Sequence, residues 1–288
     1  MPVVSAALTD LGLRRAANED TYVLRPGLGL YAVCDGMGGH AAGEVASRVA
    51  ADTIEAFVQQ TDGVGASFTW PFAFNPEWGT DGNRLVSAFM LANRAIAQRV
   101  IDEPSLRGMA TTAVCLLIGT RDSGLGTRNS GVGTRDGSET KRAPDPEPRA
   151  PSSLPALFAH VGDSRAYLWR GGELDQITRD HSWVEEQVTL GVLSETEARH
   201  HPWRNLVTRA LAGAEEPRVE RTPVNLEPGD RVLLCSDGLT SPLTNAAIAE
   251  ILARTPMGRP DELCQALVDA ANNAGGPDNI TVIVVEVT

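Results

Sequence analysis

Four aspartates stand at the ends of apolar runs. LYAVCDG delivers Asp35-Gly36, LFAHVGDSRAYLW sets Asp163 between two runs, RVLLCSDG ends on Asp237-Gly238, and GPDNITVIVV opens on Asp278-Asn279. Near the N-terminus, RRAANED gathers Arg15, Glu19 and Asp20 before another short run. A single Asp-Gly reads most simply as a turn, because both residues accept unusual backbone angles. The same arrangement four times over, with no His or Cys at ligand spacing, points to a cation site. Carboxylates and backbone carbonyls are the donors that hard divalent ions select, so Mg²⁺ or Mn²⁺ fits and Zn²⁺ is disfavoured. A glycine beside a carboxylate lets a carbonyl approach a metal closely. Arg15 is available for an anion.

The elements that must position these residues follow from pattern. Strands are expected at Val3–Thr9, Thr21–Leu24, Leu28–Cys34, Thr112–Ile118, Leu157–Val161, Ala166–Trp169, Arg231–Cys235 and Ile280–Val287, runs rich in Val, Ala, Ile and Leu bounded by Gly, Asp and Pro. Helices are expected at Ala42–Gln59, Arg84–Ile101, Ala246–Ala253 and Asp261–Asn272. Pro260 suits the first turn of the last helix, and Gly275-Gly276-Pro277 ends it. Strands cluster and helices come in blocks, which disfavours a doubly wound parallel sheet and favours α+β with antiparallel sheets. The 288 residues read as a single domain with two insertions. Residues 60–83 form an aromatic-rich loop whose Trp70, Phe72, Phe74 and Trp78 should pack on the surface. Residues 119–154 carry a seven-residue repeat (GTRDSGL, GTRNSGV, GTRDGSE) and a Pro-rich tail with almost no apolar residues, and are expected to be disordered.

Composition narrows the class. With 42% apolar and 22% charged residues the chain is globular, and its net charge of −12 argues against a nucleic-acid partner. The 119–154 segment does not supply that excess, since its six cations and five anions nearly cancel. Cys34, Cys115, Cys235 and Cys264 form no C-x-x-C pair, and three lie in apolar runs, as buried thiols of a reducing compartment do. The N-terminus MPVVSAALTD lacks a signal-peptide pattern, and no apolar run approaches the ~20 residues of a membrane span. A cytoplasmic protein with no membrane partner is expected.

The segments GLRRAANED (12–20), DGMGGHAAGE (35–44), GMATT (108–112), VGDSRAYL (161–168), DHSWV (180–184), SDGL (236–239) and DN (278–279) occur in this order. Together they resemble the bacterial metal-dependent Ser/Thr protein phosphatases of the protein phosphatase 2C (PPM) family, over nearly the whole chain. The resemblance implies an αββα sandwich: two antiparallel sheets flanked by helices, with a flap beside a metal cleft. It implies that Asp35 bridges two Mn²⁺ or Mg²⁺ ions, that the Gly36 carbonyl binds one, and that Asp237 and Asp278 complete the first. Glu19 would hold waters on the second ion, Asp20 would support the set, and Arg15 would bind the phosphate. Asp163 with Asp237 matches a third, weaker ion site. The implied reaction is direct in-line hydrolysis of phosphoserine and phosphothreonine in proteins, opposing a bacterial Ser/Thr kinase, by a monomer. A pseudophosphatase binding module and a hydrolase of small phosphoesters are the alternatives.

One position departs from the pattern. Met37 follows Asp35-Gly36 where many eukaryotic members have a His proposed as general acid, and Met transfers no proton. His40 is the nearby candidate for that role, with packing at the start of the first helix as the alternative. His160 reads as a hydrogen-bonded core residue, His181 as structural, and His200-His201 as solvated flap residues, with Trp183 and Trp203 packing the flap down. Thr111 and Thr112 read as buried strand positions near the site.

Overall fold

The computed structural model describes residues 1–38, 42–64, 68–119 and 153–288. In chain order the strands are β1 (Val3–Asp10), β2 (Asp20–Arg25), β3 (Leu30–Met37), β4 (Ala110–Thr111), β5 (Ala113–Ile118), β6 (Leu154–Val161), β7 (Arg165–Arg170), β8 (Glu173–Gln176), β9 (Glu220–Leu226), β10 (Arg231–Cys235) and β11 (Ile280–Val287). The helices are α1 (Ala42–Gln60), α2 (Gly79–Asp102), α3 (Trp183–Thr189), α4 (Glu195–His200), α5 (Asp237–Thr240), α6 (Asn245–Arg254) and α7 (Pro260–Asn273).

The strands form two sheets, in the orders β1-β11-β10-β7-β8 and β2-β3-β5-β6-β9, with β4 added beside β3. All the pairings are antiparallel. The apolar runs are continuous rather than alternating because both faces of each sheet are covered. In β3, Tyr31 and Val33 point into the layer between the sheets, while Leu30, Ala32 and Cys34 meet α1 and α2. In β11, Ile283, Val285 and Val287 face the other sheet, and Ile280, Val282 and Val284 face the layer of α6 and α7. Side chains that alternate across a strand thus build three cores from one sequence pattern. The result is the expected helix–sheet–sheet–helix sandwich.

The differences from expectation are local and have causes. The run at Thr112–Ile118 is split, with Thr112 between β4 and β5 because its amide bonds the Asp35 carbonyl at 2.9 Å. The second long helix begins at Gly79, a turn or more before Arg84. In the loop ahead of it, Trp70 packs edge-on against Phe68 at 5.3 Å, and both lean on the α1–α2 core. Strands β8 and β9 escape pattern reading because these edge strands carry few buried apolar residues. Pro223 sits inside β9, which an edge tolerates since no ladder donor is needed on its outer side. Helices α3 and α4 are short and rely on caps: Ser182 accepts from the Glu185 amide, and Ser194 with Glu197 forms a capping box. All but the ends of the 119–154 segment lies outside the described residues.

Candidate metal centre

The two sheets bring their acidic ends together. Asp35 on β3 is the cross-strand partner of Asp20 on β2. Asp237 begins α5 with only Ser236 between it and β10, and only Asn279 stands between Asp278 and β11. Asp163 lies in the crossover Gly162-Asp163-Ser164 that carries the chain from β6 in one sheet to β7 in the other. Ser236 ties the sheets at this point: its hydroxyl donates to Asp20 Oδ2 at 2.8 Å and accepts from the Thr281 amide at 3.0 Å. Asp237 is near enough to Asp35 for their charges to repel.

Backbone bonds fix the positions of these side chains. The Asp35 carbonyl accepts from the Thr112 amide and from the Thr111 hydroxyl, each at 2.9 Å. Gly36 is a packing requirement, since a Cβ there would lie 2.1 Å from the Gly43 carbonyl oxygen and 2.5 Å from that of Glu19. Asn279 organises the loop that carries Arg15 and Glu19. Its Nδ2 donates to the Leu11 and Ala17 carbonyls, both at 3.0 Å, and its Oδ1 accepts from the Glu19 amide at 2.8 Å. Arg15, about half exposed, pairs with Asp278 at 2.5 Å. The Glu19 side chain approaches Gly43 closely enough that a Cβ on Gly43 would lie 2.7 Å from its carboxyl carbon.

The electrostatics of the cluster are those of a site that favours a cation. Burial, with repulsion from the neighbouring aspartates, pushes Asp20 up to about 7, Asp163 to about 8 and Asp237 to about 6, and holds Asp35 well above the carboxylate range. Glu19 is raised by burial too, against the pull of Arg15. Such a group of carboxyls resists full ionisation until positive charge joins it. Its donors are oxygens only, which is the set that Mn²⁺ or Mg²⁺ takes. The residues therefore fit the ions that the sequence implies.

Of the residues singled out in the sequence, Glu19, Asp20, Asp35, Gly36, Asp163, Asp237, Asp278 and Arg15 are brought to this one end of the sandwich. His40 lies outside the described residues. His160 and His181 are buried, and stack on each other with ring centroids 4.6 Å apart. His200 bonds back to Thr196 at 2.9 Å on its own helix, and His201 packs against Trp183 at 4.9 Å, so these two do not converge. Trp183 and Trp203 meet edge-to-face at 4.9 Å, though Trp203 stays 56% exposed. Helices α3 and α4 form the flap, and a cavity of about 500 Å³ separates it from Asp163 and Asp237, with Arg179, Arg199 and Arg204 among its lining. Sequence reasoning gave no role to Asn279 or Ser236. Their only signal was adjacency, since each stands beside a candidate aspartate.

The family model of stage II sporulation protein E (SpoIIE) matches residues 156–288. The chain is 37% identical over 283 residues to the serine/threonine protein phosphatase PstP of Mycobacterium tuberculosis, covering 98% of this chain but 44% of that protein. It thus spans about half the length of this relative. It is 35% identical over 284 residues to the protein phosphatase PhpP of Streptococcus pneumoniae, covering 96% of this chain and 95% of that protein. Among solved structures, the catalytic domain of PstP in complex with two manganese ions superimposes with a TM-score of 0.73 at 34% identity, covering 99% of both chains. The Streptococcus agalactiae serine/threonine phosphatase gives 0.75 at 30% identity over the whole of both chains. With the acidic site at the convergent ends of both sheets, and with PhpP and the solved phosphatase chains matched over nearly their whole length, the chain belongs to the bacterial PPM family of serine/threonine protein phosphatases.

Proposed function

We propose that this chain is a Mn²⁺- or Mg²⁺-dependent phosphatase that removes phosphate from phosphoserine and phosphothreonine in proteins, and so opposes a Ser/Thr kinase. The observation that carries the reading is the convergence of Asp20, Asp35, Asp163, Asp237 and Asp278 from both sheets, with Arg15 at the rim. Asp35, Asp237, Asp278 and the Gly36 carbonyl would hold two ions, with Glu19 and Asp20 in support, and Asp163 with Asp237 would hold a third, weaker one. When bound, the ions supply a water acidified for attack and positive charge against the phosphate oxygens.

The residues of the chain do the rest. Arg15 presents a planar fork that grips two phosphate oxygens, which a lysine does not match. Asn279 holds the Arg15 loop against β11, so the guanidinium approaches from one side of the carboxylates. Ser236 keeps an O–H directed at Asp20 Oδ2, which fixes that carboxylate across the seam between the sheets. No sequence motif supplies a Cys or Ser nucleophile, in keeping with direct attack by water. The intact carboxylate set favours turnover over a pseudophosphatase, and relatives named as protein phosphatases favour a phosphoprotein over a small phosphoester.

The test is hydrolysis of a phosphothreonine peptide and of para-nitrophenyl phosphate by the purified chain with Mn²⁺, with nucleotides as comparison substrates. Peptide turnover that requires the ion and is abolished by Asp35→Asn supports the reading. Failure on the peptide alone favours the small-phosphoester alternative, and Mn²⁺ and phosphopeptide binding without turnover favours the pseudophosphatase. We take the working unit to be a monomer in the cytoplasm. No helix among the described residues is long and apolar enough to cross a membrane.

A further inference from the structure

Three side chains outside the acidic cluster, His160, His181 and Glu220, bring their ligand atoms within 4.8 Å of one another. The arrangement resembles a transition-metal site, and the hydrogen bonds argue against it. The Gly162 amide, which only donates, points at His181 Nδ1 at 3.0 Å. Nδ1 is therefore the acceptor, and the ring proton sits on Nε2. That Nε2 lies 3.0 Å from Glu220 Oε1 in a short but misaligned contact. A metal at Nε2 would leave both ring nitrogens without a proton, an imidazolate, for as long as the Gly162 bond stands. His160 is committed as well: its Nε2 faces the Arg179 carbonyl at 2.8 Å and must donate to it. Burial lowers the proton affinity of both rings, and His160 further disfavours charge on His181 across the stack.

What the cluster does is hold Gly162. The His181 amide donates to the Gly162 carbonyl at 3.0 Å, so backbone and ring of one residue clasp both polar groups of the glycine. Gly162 adopts φ +110°, and a Cβ there would lie 2.4 Å from the Thr112 side chain, so the clasped conformation is reserved for glycine. The next residue is Asp163. The same His181 forms the neck of the flap, since its carbonyl accepts from the Thr208 amide at 2.8 Å. Glu220 is held in turn by Arg209 at 2.9 Å.

We propose that His181 is a positioning residue: its neutral ring, accepting at Nδ1, holds Gly162 so that the Asp163 carboxylate is presented to the weaker third cation, and it ties that presentation to the base of the flap. This rests on the proposed reading of Asp163 as an ion ligand.

Two near-isosteric substitutions separate the arms of the ring. Asn places an oxygen near Nδ1 and keeps the acceptor for Gly162. Gln places its amide near Nε2 and keeps only the Glu220 arm. Mn²⁺ titration calorimetry on the whole chain, together with exchange of the Gly162 amide by NMR, reads the two consequences. His181→Asn is expected to keep the wild-type isotherm and Gly162 protection. His181→Gln and His181→Ala are expected to lose Gly162 protection and to weaken the third ion by ~10–100-fold, as loss of a supporting partner does, with the melting transition still cooperative. Asp163→Ala is the reference for that lost ion. If Asp163→Ala removes an ion and His181→Gln does not, the clasp is refuted and the metal reading stands. If Asp163→Ala leaves the isotherm unchanged, the ligand assignment falls and takes the positioning role with it. If zinc binds wild type tightly and His160→Ala or Glu220→Gln abolishes that binding, the cluster is a metal site and the tautomer argument is wrong.

Discussion

The Arg15 guanidinium lies 2.5 Å from the Asp278 carboxylate, so the group read as the phosphate ligand rests on a group read as a metal ligand. The two roles compete. A divalent ion on Asp278 weakens the pull on Arg15 and leaves its fork for phosphate. Arg15→Ala should therefore lower kcat/KM by roughly 10–100-fold, the worth of one or two charge-assisted hydrogen bonds. Arg15→Lys should recover little of it, because a point charge does not replace the planar fork. Mn²⁺ affinity should be unchanged or tighter in both variants. Steady-state kinetics beside calorimetry checks the pair of outcomes, and weaker Mn²⁺ binding in Arg15→Ala would refute the competition.

Asp35 and Asp237 are neighbours in the acidic cluster, and both are held above the ordinary carboxylate range by burial and by the surrounding aspartates. Asp35→Asn and Asp237→Asn should each abolish turnover. Without metal they should cost little stability, because each puts a neutral amide in place of a buried carboxyl whose ionisation is already disfavoured. With Mn²⁺ the wild type should gain about 2.7 kcal/mol at a hundredfold excess over Kd, and the variants should gain much less. Thermal melts with chelator and with Mn²⁺ measure both halves.

Much of this site was legible because its carboxylates end apolar strands, and strand ends are where sequence pattern is least ambiguous. Asp35, Asp237 and Asp278 follow from the runs before or after them. The supports were not legible. Asn279 and Ser236 act over sequence separations of 262 and 216 residues, and no local signal encodes such bonds. For the same reason β9 was missed. Its Pro223 and charged start, Glu220-Arg221, argue against a strand until a partner, β6, is known. The αββα layering was implied by the resemblance, and the sequence pattern alone reached only antiparallel α+β.

The metal-free protein should lose stability as pH rises. Asp237 at about 6, Asp20 at about 7 and Asp163 at about 8 are all raised above their unfolded value near 3.9 by burial. The folded state therefore binds these protons more tightly than the unfolded chain. Their contribution is complete below about pH 4 and is lost as pH climbs through 6 to 8. In chelator, Tm should fall between pH 5 and pH 8 as these groups ionise beside one another. Mn²⁺ should flatten that slope, because bound ions favour the ionised carboxylates. A chelated protein whose Tm is flat or rising over this window would contradict the electrostatic reading of the cluster.

Arg231 and Glu286 form an ion pair that is almost wholly buried, at the opposite end of β10 and β11 from the aspartates. Arg231 Nε meets Glu286 Oε1 at 2.8 Å, its Nη1 and Nη2 donate to the carbonyls of Leu252 and Thr255, and Glu286 Oε2 accepts from the Gly258 amide at 2.6 Å. The pair thereby fastens the α6–α7 connection to the sheet. Glu286→Gln strands a buried cation, and Arg231→Met strands a buried anion, so each should destabilise by about 3–5 kcal/mol. The double variant Arg231→Met with Glu286→Leu should recover part of that loss, since it leaves no unpaired charge, although the Leu252 and Thr255 carbonyls lose their donor. About six residues of strand, roughly 20 Å, separate the pair from the acidic site. Turnover per folded molecule should therefore be unchanged in all three, and denaturant unfolding beside kinetics on the folded fraction tests both claims.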